Sequence, residues 1–153
     1  MKIAVLGAGM VGRAMAIDLS YDYDVTSFDK NVENLQILQT GSTNIETQEM
    51  DLSDFTQYEK TFSGVYLLIT GVPGVMGFAV LKAAIEAGKN VADISFFPEN
   101  ALGLDALAKE KNVTVITDIG VAPGMSNLIL GKYNEEMEIS EFECYVGGLP
   151  KLR

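Results

Sequence analysis

The chain has 153 residues, no histidine and one cysteine, Cys144. Without histidine, neither a Ser–His–Asp triad nor a Cys–His pair can form within the chain, and zinc sites built on histidine are excluded. We expect no metal site. A single cysteine cannot form an intramolecular disulfide, which favours a reducing compartment. Cys144 is interpreted as a small apolar side chain rather than as a nucleophile.

Basic residues and long apolar runs are also scarce. Lysine and arginine number 11 against 21 acidic residues, for a net charge of −10. Nucleic acids and anionic membrane surfaces both need clustered basic side chains, so neither is an expected partner. The apolar run Ile3–Leu6 is too short for a signal peptide, and no run approaches the about 20 residues of a membrane span. We therefore expect a cytoplasmic protein.

Strand and helix patterns alternate along the whole chain, which predicts a parallel sheet with right-handed crossovers. The expected fold is a Rossmann-type, doubly wound α/β domain of three layers over residues 1–153. The predicted strands are Lys2–Leu6, Asp24–Phe28, Asn44–Gln48, Val65–Thr70, Asn90–Ile94, Val113–Thr117 and Glu141–Val146. The predicted helices are Met10–Ser20, Val32–Gln39, a short helix from a Ser53 cap to Phe62, Val75–Ala87, Leu102–Lys111 and a helix from Pro123-Gly124 to Leu130.

The segment Gly7-Ala8-Gly9-Met10-Val11-Gly12 is a G-x-G-x-x-G motif between the first strand and the first helix. In such a motif the first glycine permits the tight turn, the second lets a pyrophosphate approach the backbone, and the third lets the helix pack on the strands. The amides of Met10 and Val11 begin the helix and would point at the phosphates. The alternative is that the glycines only shape a tight turn.

An acidic residue, Asp29, ends the second strand 20 positions after Gly9. A carboxylate there would accept hydrogen bonds from the adenosine ribose and repel a 2′-phosphate, which favours NAD over NADP. The neighbouring Lys30 could offset part of that repulsion. A solvated acid at a strand end is the alternative interpretation.

Two further loops follow strands on the expected ligand side of the sheet. Asp51 and Leu52 follow the third strand, where they could flank the adenine, although Asp51 could equally cap a helix. The loop Thr70-Gly71-Val72-Pro73 follows the fourth strand, beside the switch point where open α/β sheets bind ligands. Turn chemistry alone could also explain its glycine and proline.

Asp93 and Asp118 end the fifth and sixth predicted strands. Their place at the carboxyl ends of strands puts both on the ligand side of the sheet. Each could position a substrate or a nicotinamide, or simply cap the following segment. Asp93 is our candidate catalytic residue.

Three segments of the second half carry a resemblance: 91–100 (VADISFFPEN), 118–127 (DIGVAPGMSN) and 145–150 (YVGGLP). With the glycine motif, they resemble saccharopine dehydrogenase-like reductases, and within them lysine 6-dehydrogenases most closely. The resemblance implies an NAD(P)-dependent oxidoreductase acting on a C–N bond of an amino acid. It implies that Asp93 and Ser95 lie towards the nicotinamide and that the loop 120–124 shapes the floor of the active site.

Members of that family continue past the Gly-Gly-Leu-Pro element into a second domain that contacts the substrate. We therefore expect a dinucleotide as the direct ligand, and a small amino-acid substrate only together with that domain. An apolar surface after Pro123 would then be exposed and could support a homodimer. Two alternatives stay open: a stand-alone NAD-sensing regulatory module, such as those of potassium channels, and a doubly wound domain that binds no nucleotide.

Overall fold

The protein is described by a computed structural model that covers residues 1–42 and 44–147. One six-stranded sheet lies at its centre, in the order β3-β2-β1-β4-β5-β6. Its strands are β1 (Lys2–Leu6), β2 (Asp24–Asp29), β3 (Ile45–Glu49), β4 (Leu67–Thr70), β5 (Asn90–Asp93) and β6 (Val115–Ile116). All neighbouring strands pair in parallel, which confirms the predicted doubly wound topology.

The helices cover both faces of this sheet. They are α1 (Met10–Leu19), α2 (Val32–Gly41), α3 (Tyr58–Thr61), α4 (Gly74–Glu86), α5 (Asp105–Glu110) and α6 (Met125–Glu136). Short 3-10 turns at Phe55–Gln57 and Ala101–Leu104 lead into α3 and α5. None of the helices in the described ranges combines the length and the apolar character needed to cross a membrane.

The alternation of side chains along β1 produces the two halves of the core. Ile3 and Val5 pack in a cluster with Ala16 of α1 and Leu38 of α2. On the opposite face, Ala4 and Leu6 belong to a larger cluster, whose members from the covering helices are Tyr58, Val80, Leu81, Ala83, Ala84, Ile85 and Ala108. Each fully buried Leu or Ile contributes about 1.5–3 kcal/mol, so the central strand stabilises both faces at once. The three-layer prediction is confirmed.

The short helix predicted from a Ser53 cap to Phe62 has different bounds in the structure. The short helix is capped by Asp54 rather than Ser53, because the Asp54 carboxylate accepts from the Thr56 amide at 3.2 Å. The Ser53 hydroxyl instead donates to Asp51 at 2.7 Å. The 3-10 turn at Phe55–Gln57 then precedes an α3 of only four residues.

The C-terminal part differs most from the prediction. Residues 141–146 form no strand, and the helix expected to end at Leu130 continues to Glu136. Segment 141–146 pairs with no strand of the described structure, and β6, at the sheet edge, has only two residues. Its apolar side chains are exposed as well, Phe142 by 47% and Val146 by 61%. Residues 148–150 of the Gly-Gly-Leu-Pro element lie outside the described residues.

The helix α6 buries no residue and carries an apolar surface. Leu128 is 71% exposed, and Met125, Ile129 and Tyr133 are each about half exposed. We call this surface the α6 face. Monomeric soluble proteins rarely expose contiguous apolar patches of this kind without a partner for them.

Candidate functional site

A cavity of about 570 Å³ opens at the carboxyl ends of β1 and β4, the switch point of the sheet. This volume is within the range of small-molecule and cofactor sites. Its lining residues are Gly7, Gly9, Met10, Val11, Gly12, Asp29, Lys30, Asn31, Asn34, Leu52, Gly71, Val72, Pro73 and Met76. Eleven of the thirteen residues predicted to hold a cofactor are therefore found together here; Asp51 and Thr70 are not in the lining.

The glycine loop between β1 and α1 has the geometry that its sequence predicts. Gly7 has a φ of +105°, which favours glycine, and its amide donates to the Phe28 carbonyl at 2.8 Å. A Cβ on Gly12 would come closer than 3.0 Å to the Gly7 carbonyl oxygen, so α1 packs directly on the loop. A Cβ on Gly9 would meet no atom of the described residues within 4 Å, because Gly9 borders the cavity.

The N-terminus of α1 is prepared for an anion. Gly9 is its N-cap, and among the described residues no side chain accepts from the first amides of the helix. Its first turn carries no acidic residue, and Met10 and Val11 are 83% and 57% exposed. Unpaired amides and the positive end of a helix dipole together favour a phosphate group at this position.

Asp29 is a junction between two loops. One carboxylate oxygen, Oδ2, accepts from the Ala8 amide at 2.8 Å and from the Asn34 side-chain amide at 3.3 Å. The other, Oδ1, accepts from the Asn31 amide at 2.8 Å. The acid therefore joins the glycine loop to the turn that enters α2, in addition to facing the cavity.

The N-terminus of α2 contrasts with that of α1. The Asn31 side chain caps it by accepting from the amides of Glu33 at 2.9 Å and Asn34 at 3.4 Å. Glu33 also places a negative charge in the first turn. The amides of Glu33 and Asn34 are thus already occupied at this side of the cavity.

The adenine side of the predicted site is only partly present. Leu52 lines the cavity, and the buried Tyr58 hydroxyl donates to the Leu52 carbonyl at 2.7 Å. Burial, and to a smaller extent the charge of Asp51, raises the pKa of Tyr58. Asp51 accepts from the Ser53 hydroxyl and amide, and these bonds lower the pKa of its carboxyl. Asp51 therefore stabilises a turn, while a contact with adenine stays a prediction.

The loop after β4 contributes Gly71, Val72 and Pro73 to the cavity. The Gly71 amide donates to the Leu6 carbonyl at 2.9 Å, which holds this loop beside the glycine loop. Thr70, by contrast, is only 1% exposed and donates its hydroxyl proton to Asp93.

Asp93 is at the end of β5 as predicted, but it is completely buried and absent from the cavity lining. Burial raises the pKa of its carboxyl, and hydrogen bonds from Thr70 and Ser95 offset only part of this effect. Because its side chain is fully buried, Asp93 could contact a reacting group only if the residues around it moved. Its catalytic role stays a prediction.

Three lining residues were not predicted: Asn31, Asn34 and Met76. The first two carry a sequence signal, because an Asn just before a helical pattern is typical of an N-cap, and the residue three positions later shares its turn. Met76 lies in the first turn of α4, whose N-terminus is also without a side-chain cap among the described residues. Within the same residues, no group of three or more potential His, Cys, Asp or Glu metal ligands occurs.

Comparison with known proteins agrees with this geometry. A family profile described as "Saccharopine dehydrogenase NADP binding domain" matches residues 3–116. The saccharopine dehydrogenase (NADP(+), L-glutamate-forming) of Pyricularia oryzae is 29% identical over 97% of this chain and 34% of its own length. The enzyme of the same name from Schizosaccharomyces pombe is 29% identical over 97% of this chain and 35% of its own. The chain thus spans about a third of the length of these curated relatives.

A solved structure shares the fold. The apo saccharopine dehydrogenase (L-Glu forming) of Saccharomyces cerevisiae superposes with a TM-score of 0.78 at 24% identity, covering 88% of this chain and 31% of that one. Fold and cavity together define a Rossmann-type domain that binds a nicotinamide dinucleotide. The chain belongs to the saccharopine dehydrogenase NADP binding domain family. The resemblance to saccharopine dehydrogenase-like proteins is confirmed, and an NAD-sensing regulatory module is not favoured. The nearer likeness to lysine 6-dehydrogenases stays a prediction.

Proposed function

We propose that this chain is the dinucleotide-binding part of an oxidoreductase that transfers hydride at an amino-bearing carbon of an amino acid. The observation that carries the proposal is the N-terminus of α1, which no side chain of the described residues caps and which faces a cavity of cofactor size at the switch point of the sheet. Membership of a family named for saccharopine dehydrogenase supports the reaction class.

The cavity suggests a position for each part of the dinucleotide. The amides of Met10 and Val11 would bind the pyrophosphate, and Asp29 would bind the adenosine ribose. Leu52 would lie against the adenine. The loop 71–73 and Met76 would hold the nicotinamide, whose ring supplies the hydride-accepting carbon when it is bound.

We also propose that NAD is preferred over NADP, although the family and the relatives reported above are named for NADP. Next to Asp29, the amides of Glu33 and Asn34 at the start of α2 are occupied by the Asn31 side chain, and Glu33 adds a negative charge. A 2′-phosphate there would lie near the acids Asp29 and Glu33, and the amides of Glu33 and Asn34 would not be free to bind it. At about 4 Å, two like unit charges repel by about 1 kcal/mol in water and about 4 kcal/mol at an effective dielectric of 20.

Two donors oppose this preference. Lys30 borders the cavity, but it is exposed, and exposed ion pairs contribute only about 0–1 kcal/mol. The Asn34 side-chain amide already donates to Asp29. We therefore expect the repulsion from Asp29 to exceed the attraction from Lys30, and NADH to bind roughly tenfold or more tightly than NADPH.

A fluorescence titration with NADH and with NADPH tests both proposals. With the wild-type protein, the fluorescence signal should saturate at a lower concentration of NADH than of NADPH. Asp29→Asn should narrow or reverse the difference between the two cofactors. Asp24→Asn is a matched control, because Asp24 is at the opposite end of the same strand and pairs only loosely with Lys2, at 3.9 Å. Tighter binding of NADPH by the wild type would contradict the NAD preference, and no saturable signal with either would contradict cofactor binding.

The amino-acid substrate, we propose further, is held by protein outside these 153 residues. The chain spans about a third of its relatives' length, and the α6 face offers an apolar surface that has no cover among the described residues. Lysine added to this chain with NAD should therefore give no NADH absorbance. Steady NADH formation by this chain alone would contradict the proposal.

A further inference from the structure

A buried polar cluster lies beneath the nicotinamide half of the cavity. It consists of Thr70, Asp93 and Ser95, and we call it the floor cluster. Their exposed fractions are 1%, 0% and 5%. The Thr70 hydroxyl and the Ser95 amide both donate to Oδ1 of Asp93, the latter at 3.0 Å.

The position of the floor cluster follows from strand register. Thr70 and Asp93 are paired neighbours at the ends of β4 and β5. Each lies two residues after a core residue, Leu68 and Val91, so both side chains point to the face that α4 covers. The Ile94 amide also donates to the Thr70 carbonyl at 3.2 Å, which adds a backbone connection between the two strand ends.

This cluster connects directly to the cavity wall. Thr70 is followed at once by Gly71, Val72 and Pro73, all of which line the cavity. Pro73 is in turn the N-cap of α4, and Met76 in the first turn of that helix also lines the cavity. A change in the position of Thr70 would therefore move the wall that faces the nicotinamide.

The loop after Asp93 also packs against α4, the helix whose first turn forms part of the cavity wall. A Cβ on Gly74 would collide with the Phe96 carbonyl, and one on Gly77 would come within 2.8 Å of the Ser95 Cβ. The Phe97 ring packs edge-to-face on Phe78 of α4, with centroids 5.7 Å apart. Residues 95–97 and the helix α4 are thus in close contact, so the end of β5 influences the position of the α4 N-terminus.

A hydrophobic side chain in place of Asp93 could fill this space without the cost of burying a carboxyl. The Asp93 Oδ2 and the Ser95 Oγ are buried and have no hydrogen-bond partner among the described residues. Unpaired buried polar atoms are costly, and those that persist in a structure call for an explanation beyond stability. Asp93 accepts a hydrogen bond from Thr70 and so connects the ends of β5 and β4, which an apolar residue could not do.

We propose that Asp93 is a positioning residue that acts through Thr70 to hold the loop 71–73 and the start of α4 against the nicotinamide. This inference rests on the proposed function, since it assigns the nicotinamide to that part of the cavity. It gives Asp93 a role without contact with the reacting atoms. It also predicts that the adenosine half of the cofactor, bound at Asp29 on the other side of β1, does not depend on the cluster.

The two halves of the cofactor can be separated with ADP-ribose, which lacks the nicotinamide. The variants are Asp93→Ala, Asp93→Asn and Thr70→Val, with Ser27→Ala as the control. Ser27 is also buried and its hydroxyl also lacks a partner among the described residues, but it lies in β2, away from the cavity wall. Affinities for ADP-ribose and NADH, the emission spectrum of bound NADH and the melting temperature are measured for each.

Asp93→Ala and Thr70→Val should bind ADP-ribose within about twofold of the wild type and NADH roughly tenfold more weakly, with altered nicotinamide emission. Asp93→Asn keeps a hydrogen-bond acceptor for Thr70 and should therefore retain most of the NADH affinity that Asp93→Ala loses. Unchanged NADH affinity and emission in Thr70→Val, or equal losses for both ligands, would overturn this inference; Thr70→Val decides the matter if Asp93→Ala does not fold. Failure of the wild type to bind either ligand would instead overturn the proposed function.

Discussion

Replacing Gly9 with alanine separates cofactor binding from folding at a single position. Gly9 has a φ of −65°, which alanine adopts without strain, and its Cβ would meet nothing within 4 Å. Alanine is a poorer N-cap than glycine, but it also lowers the entropy of the unfolded chain by the equivalent of about 0.4–1 kcal/mol. These effects oppose each other, so the free energy of unfolding should change by less than about 1 kcal/mol.

Binding should change far more than stability. The new methyl group would project into the cavity at the point where the backbone must approach the pyrophosphate. Moving the phosphate outward lengthens its hydrogen bonds to the first amides of α1, and a hydrogen bond to a charged group is worth about 1.5–3 kcal/mol. Loss of one such bond weakens NADH binding by roughly tenfold or more, and loss of two by roughly a hundredfold or more.

Gly12→Ala, unlike Gly9→Ala, should affect stability as well as binding. Its Cβ would come closer than 3.0 Å to the Gly7 carbonyl oxygen, a backbone atom that cannot move without displacing α1 or the loop. Overpacking of this kind costs about 1–3 kcal/mol and sometimes more. This variant should therefore lose stability and cofactor binding together.

The assay pairs urea unfolding with NADH titration for both variants and for a control, Gly103→Ala. Gly103 lies in the 3-10 turn before α5, outside the cavity lining, and its Cβ would also meet open space. The control should keep wild-type affinity. If Gly9→Ala binds NADH as tightly as the wild type while remaining folded, the pyrophosphate does not lie against this loop and the reasoning is refuted.

Two further predictions concern pH and self-association. Burial raises the pKa of Asp93, so the folded protein holds this proton more tightly than the unfolded chain, and the associated stability is lost as pH rises through the raised value. Asp93→Asn should therefore gain in melting temperature relative to the wild type as pH rises above the ordinary pKa of an aspartate; a difference that does not vary with pH would contradict the assignment. The α6 face should support dimers, and Leu128→Glu should lower the mass measured by light scattering at high protein concentration, whereas a monomeric wild type would contradict this expectation.

The central part of the fold could be predicted from sequence because local and global signals agree there. The alternating run of β1 buries residues on both faces, and Gly88, with a φ of +69°, follows the end of α4 as expected for a helix stop. The C-terminal part could not be predicted in the same way. Segment 141–146 alternates like a strand, but a strand needs a neighbour to pair with, and the sequence does not reveal that the described structure places none beside this segment.

In the candidate site, too, some residues could be predicted from sequence and others could not. The glycine loop and Asp29 were found because each has a fixed position relative to a strand end. Asn34 was missed because its approach to Asp29 depends on the direction in which α2 leaves the turn. Asp93 was placed at the correct strand end, but its burial depends on the loop 94–97 that packs over α4, and strand-end position alone does not indicate depth.

The most direct test of a dinucleotide site at the switch point is the amide spectrum of the isotope-labelled protein during titration with NADH. A dinucleotide bound there should produce saturable shifts for the amides of Gly9, Met10 and Gly12 and for those of Gly71 and Val72, with little change in α6. Saturable shifts confined to other parts of the chain, or none at millimolar NADH, would contradict it.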